Sequence, residues 1–247
     1  QSNELNKYLD IKYWEKCVIS EKEFRAKIKG KKVKVGVDLS VTTDLTAVGI
    51  EFEDEELYYC NSHGFLPEES LKDRREKHID YRKYAKLGYC DIHKGKTVSY
   101  TLVEEYIRGI EAEYGCSIET IVTDPMNAKE MVERLAKDYN VVYLKQTYTN
   151  LSPATKEYRK AVYDDKVRYV KNELLDWNMN CASTSKGKAD DEMLMKENKN
   201  KQRIDIIAVL VFCHTEFVDP NDNIDLNEYA TDEYLKKFWN NGDNHEN

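Results

Sequence analysis

The hydrophobic pattern of this 247-residue chain passes at Pro67 from a run of consecutive strands to alternating helices and strands, and that order constrains the fold. Before Pro67, Val33, Val35 and Val37 alternate with Lys34 and Gly36, and Asp38 closes the run. Residues 46–52 and 57–65 follow as further strands, separated by an acidic turn at 53–56. Three short strands with tight links predict an antiparallel meander. Beyond Pro67, residues 68–87 are charged and helical up to Gly88, and 99–114 predict a second helix ended by Gly115. A strand at 118–123 stops at Asp124-Pro125, because proline cannot extend a central ladder. A helix at 127–139 and a strand at 141–144 continue the alternation. Ser152-Pro153 then opens a helix, with Ser as N-cap and Pro at its first position. A polar stretch at 183–202 leads into an apolar run at 204–217. A meander followed by helix–strand alternation predicts an α/β fold, a mixed five-stranded sheet flanked by helices. Residues 5–17 and 21–28 read as a helical lead-in ending at Gly30.

Composition narrows the function classes. Hydrophobic residues make up 40% of the chain, enough for a core. No apolar run approaches the roughly 18 to 20 residues that span a bilayer, and residues 1–10 are too polar for a signal peptide. Membrane and secreted readings are set aside, and the missing initiator Met suggests that the chain is an excised segment whose upstream part is unseen. The six cysteines are scattered without a CxxC pair, which predicts buried free thiols and no zinc site. The net charge of −8 is concentrated at the end: residues 216–247 hold nine acids and two lysines, which leaves −1 for residues 1–215. A near-neutral body with basic clusters at 27–34 and 74–77 is compatible with a phosphate backbone.

Three aspartates stand in unusual places. Asp38 and Asp124 each end an apolar strand, and in parallel neighbours their carboxylates would sit at one sheet edge, roughly 5 Å apart. Asp205 is the one polar residue in the run 204–213, where an unpaired carboxylate costs several kcal/mol. Oxygen-only ligands point to magnesium or manganese. Spacing alone leaves open whether these are metal ligands or turn and cap residues.

At these residues the sequence resembles the C-terminal nuclease domain of the large terminase subunit of tailed bacteriophages, over about residues 31–216. Gly36-Val-Asp-Leu-Ser40 with Asp44-Leu-Thr-Ala47 resembles that family's first acidic strand. Phe65-Leu-Pro67, Leu71, Arg75, Tyr81 and residues 84–88 resemble its helical insertion. Asp124 holds the place of the second acid. Leu151-Ser-Pro153, Asn172, Trp177 and Asn180 resemble the segment before the last helix, and Lys201-Gln-Arg-Ile-Asp205 with Ala208 the third acidic motif. Tyr84 stands where Trp is expected, and Ile206 where Gly is common. The resemblance implies a ribonuclease-H-like fold and cleavage of double-stranded DNA with two Mg2+ or Mn2+ ions held by Asp38, Asp124 and Asp205. It also implies an ATPase domain in the full-length chain, a small terminase subunit and a portal as partners, and action in the bacterial cytoplasm. On this reading residues 1–30 are a lead-in from the missing ATPase domain, 31–218 the nuclease domain and 219–247 an acidic tail. The basic residues placed to offset repulsion between acids and duplex are Lys199, Lys201 and Arg203, with Arg74 and Arg75 on the insertion.

Competing readings are weaker. Lys94-Gly-Lys-Thr97 ends like a phosphate loop, but the required earlier Gly is Cys90, so a turn is expected. Residues 35–44 also resemble the first phosphate loop of actin-like ATPases, which need glycine-rich turns that this chain, with ten glycines, does not provide. Another ribonuclease-H-like nuclease of resolvase or transposase type, or a docking module for portal or capsid proteins, would fit the same pattern without the packaging role.

Overall fold

Alternation along the first apolar strand sends Val33, Val35 and Val37 to one face of a sheet and leaves Gly36 on the other. The computed structural model describes residues 5–41, 45–74, 76, 78–124, 128–187, 190–198 and 201–218. In chain order it runs β1 (Leu5–Lys7), α1 (Ile11–Lys16), β2 (Val18–Ile19), α2 (Glu21–Ile28), β3 (Lys32–Asp38), β4 (Thr46–Asp54), β5 (Leu57–Pro67), α3 (Ser70–Asp73), α4 (Tyr81–Lys86) and β6 (Cys90–His93). There follow α5 (Tyr100–Tyr114), β7 (Ser117–Thr123), α6 (Lys129–Leu135), β8 (Val141–Tyr143), α7 (Tyr148–Tyr163), β9 (Val167–Val170), α8 (Glu173–Cys181), β10 (Ser183–Lys186), β11 (Glu192–Met195) and α9 (Asp205–His214).

The five expected strands lie side by side in the order β5-β4-β3-β7-β8, antiparallel across β3 to β5 and parallel from β3 to β8. Three short strands extend them: β9 and β6 both pair with β5, and β2 pairs with β9. Helices α1, α7, α8 and α9 contribute to one hydrophobic cluster, and α2, α5 and α6 to the other. The result is an α/β/α sandwich. Helix α9 is apolar on nearly every side, as a helix between a sheet and other helices must be. It lies directly on the cross-strand pair Gly36 and Gly49. A Cβ at Gly36 would collide with the Val209 carbonyl oxygen, and one at Gly49 would meet the Val209 side chain at 2.9 Å. Glycine at both positions sets the depth of the helix.

Several local expectations are corrected. Residues 5–7 form a strand, pairing with β10 beside β11 in a second, three-stranded sheet. Trp14, Phe24 and Ile28 of the lead-in are fully buried, so the lead-in packs as part of the body. Residues 68–87 are two short helices, because the chain turns extended at Arg74 (ψ 135°) and folds Glu76 inward. Helix α7 is capped by Thr147, whose side chain accepts from Asn150 N, so Pro153 is internal and Ser152 instead accepts from Glu192 N. The polar stretch 183–202 contains the hairpin β10–β11, whose Ser183, Thr184 and Ser185 are buried. The turn expected at 94–97 is present between β6 and α5, whereas the acidic tail at 219–247 lies outside the described residues.

All six cysteines are free thiols, five buried and Cys116 partly so. Burial pushes the Cys17 and Cys90 thiols up to about 12, which keeps them protonated and unreactive. Among the described residues no helix is long and apolar enough to cross a membrane.

Candidate active site

Strands β3 and β7 run parallel with Val37 opposite Thr123, so Asp38 and Asp124 leave the sheet at one carboxyl edge. Their separation along the pairing direction is about one strand spacing, ~5 Å. Helix α9 crosses above that edge and brings in Asp205, its first residue, buried to 7% exposure. Asp38, Asp205, Ser40, Gln146, Met193 and Lys196 line one cavity of about 430 Å3. Asp124 joins through Gln146, whose Nε2 donates to Asp124 Oδ2 at 3.3 Å. The sequence-predicted acids therefore converge on one edge. Among the described residues, however, no three Asp, Glu, His or Cys side chains are close enough to hold one ion. The donors present are all oxygens, which suits a hard divalent cation.

The start of α9 has no local cap. Ile204 occupies the N-cap position without a side-chain acceptor, and Asn178 of α8 supplies one, its Oδ1 accepting from Ile206 N at 3.2 Å. Asn178 is itself fully buried and donates to Leu174 O. Sequence reasoning does not single out Gln146, Asn178 or Lys196. Gln146 repeats the signal that exposes Asp38 and Asp124, a polar residue just beyond a strand. Lys196 can be found only by recognising the hairpin.

The predicted cations divide. Arg203 and Arg74 are 4% and 5% exposed, so they are corrected from a DNA face to the interior. Both reach Glu76: Arg74 Nη1 lies 3.0 Å from its Oε1, and Arg203 Nη2 lies 3.4 Å from its Oε2. Burial pushes the Glu76 carboxyl up, but backbone hydrogen bonding and the two guanidinium groups outweigh it and hold the group below its ordinary value. Lys201 is exposed, while Lys199 and Arg75 lie outside the described residues.

The sequence matches the family described as terminase large subunit, endonuclease domain, over residues 1–220. This chain belongs to that family. The match takes in residues 1–30, in keeping with the packing of α1 and α2. Among solved structures, the HK97 bacteriophage large terminase superposes on the domain with a TM-score of 0.74 at 19% identity, over 86% of this chain and 44% of that one. The large terminase nuclease of thermophilic phage G20c gives 0.51 at 9% identity, over 76% and 86%. The large terminase of another thermophilic bacteriophage, in complex with ATP-gamma-S, gives 0.50 at 14% identity, over 85% and 45%. These likenesses show a terminase nuclease fold of the ribonuclease-H-like kind. The domain spans less than half the length of the HK97 terminase and of the ATP-gamma-S-bound one. No curated protein matches the sequence.

Proposed function

We propose that this terminase nuclease domain is an endonuclease that cuts double-stranded concatemeric phage DNA during genome packaging. The observation that carries the reading is the edge itself: Asp38 and Asp124 end neighbouring parallel strands, and Asp205 shares a cavity with Asp38. Asp38, Asp124 and Asp205 would hold two Mg2+ or Mn2+ ions. Metal ions held there would supply water activation and charge stabilisation for phosphodiester hydrolysis. The chain's own residues build and orient this edge. Gln146 holds the Asp124 carboxylate, and Asn178 fixes the helix start that presents Asp205. Lys199 and Lys201, a few residues before Asp205, would meet the phosphate backbone and offset its repulsion from the acids. Those contacts position the duplex without reading its sequence.

The remainder of the longer protein would include an ATPase domain, because the large terminases of similar fold are more than twice the length they share with this chain. A small terminase subunit and a portal would be its partners, in the cytoplasm of the bacterial host. The test is incubation of the domain with plasmid DNA and manganese, with and without EDTA. Nicking and linearisation that EDTA abolishes are expected, and DNA left intact at every manganese concentration would overturn the reading.

A further inference from the structure

Helix α9 begins with its key carboxylate at its first position and no capping side chain of its own, so its start must be held from outside. Two buried groups flank Asp205. Asn178 fixes Ile206, just after it, and Glu76 fixes Arg203, two residues before it. The second contact spans both carboxylate oxygens, with Arg203 Nη2 3.4 Å from Oε2 and Nε 3.4 Å from Oε1. One hydrogen bond from Nη2 and one ion-pair contact from Nε hold the guanidinium against the carboxylate. Glu76 is in turn immobilised, its Oε1 accepting from Tyr81 OH at 2.9 Å and from Arg74 Nη1 at 3.0 Å. The Arg74 guanidinium also lies over the Tyr81 ring, 4.9 Å from its centroid.

Stability alone does not account for this cluster. Glu76, Tyr81, Arg203 and Arg74 are between 1% and 5% exposed, and two guanidinium groups face one carboxylate. Taking these charges out of water costs several kcal/mol per ion, and apolar side chains of similar volume often stabilise as well or better. What the charges provide is a defined place for the chain just before Asp205.

We propose that Glu76 is a positioning residue for the Asp205 carboxylate, acting through Arg203, so that the segment between α3 and α4 sets metal affinity at the sheet edge. The inference rests on Asp205 being a metal ligand. Partners that orient a metal ligand from behind typically change affinity by about 10- to 100-fold when removed.

The experiment compares four forms of the chain by thermal melting, by calorimetric titration with manganese alone, and by DNA cleavage against manganese concentration. They are the parent, Asp205→Asn, the triple replacement Glu76→Met, Arg74→Met and Arg203→Met, and the single replacement Arg203→Lys. The triple form removes every charge together and keeps its melting temperature near the parent's. Its manganese affinity should fall about 10- to 100-fold, and its cleavage should recover toward the parent's at saturating metal. Arg203→Lys keeps the charge but loses the planar guanidinium and its Nη2 hydrogen bond to Glu76, so it decides the matter if the triple form does not fold; about tenfold weaker manganese binding is expected. Parent-like manganese affinity in both forms, with Asp205→Asn defective, overturns the positioning role and leaves the cluster as packing. Parent-like affinity in Asp205→Asn itself overturns the ligand assignment, and the inference with it.

Discussion

Asp205 keeps a carboxylate where its neighbours Ile206 and Ile207 have no contact with solvent, and that contrast makes its replacement informative. Asp205→Asn preserves shape and removes the charge. Cleavage should fall by about 10^3-fold, or ~4 kcal/mol of barrier, while the metal-free melting temperature holds or rises. A folded variant that still nicks plasmid at the parent rate would remove Asp205 from the chemistry. At the other end of the same helix, His214 Nδ1 and Glu51 Oε1 lie 3.0 Å apart, both side chains wholly buried. Burial raises the Glu51 carboxyl above its ordinary value, and the neighbouring His214 opposes the shift without cancelling it. The folded state therefore binds more protons than the unfolded one, and this group's contribution to stability falls as pH rises above the usual carboxylate range. Glu51→Gln keeps an acceptor for His214 and removes the titration. Its melting temperature should gain on the parent's between pH 5 and pH 8, and parallel pH profiles would refute that.

At the scale of elements, the bed of α9 makes the sharpest demand. Alanine at Gly36 or Gly49 places a methyl group against Val209, and the sheet and helix must part to admit it. A loss of about 3 kcal/mol is expected, lowering the melting temperature by roughly 6–12 °C for a chain of this size. A thermal melt of either variant that overlays the parent's would show that the contact is soft. The five central strands are legible in the sequence because each is a run of apolar or alternating residues with a clear stop. The hairpin β10–β11 is not, because Ser183, Thr184 and Ser185 are buried by pairing and carry no hydrophobic signal. The start of α7 differs from the expected one because Thr147 and Ser152 are both capable caps, and tertiary contact with Glu192 decides between them. Asp38, Asp124 and Asp205 are legible as acids against apolar surroundings. Arg74 and Arg203 mislead because charge alone signals solvent, and only Glu76 explains their burial.

Across the whole molecule, a cation shared by the acid edge would tie strands β3 and β7 to helix α9, so binding and folding are linked. Manganese at about 100 times its dissociation constant should add ~2.7 kcal/mol, seen as a higher melting temperature. Asp38→Ala should lose that gain, and an unchanged melting curve in saturating metal would count against the site. DNA contact should show itself through salt: replacing Lys199 and Lys201 together by Ala should weaken binding equally on all sequences and reduce the salt slope by about 2. Affinity matching the parent at every salt concentration would exclude both lysines. The seat of α9 on Gly36 and Gly49 also bears on how the protein is made. The helix that fills the central core is synthesised long after the strands it covers, with a sequence separation of 163 between Glu51 and its partner His214. At about 5–20 residues per second, the ribosome needs on the order of 10 to 30 s to bridge that gap. For that interval the nascent sheet shows a bare apolar face with a glycine groove at its centre. Chaperone dependence during translation, and aggregation of chains cut short before residue 205, follow from the order of synthesis.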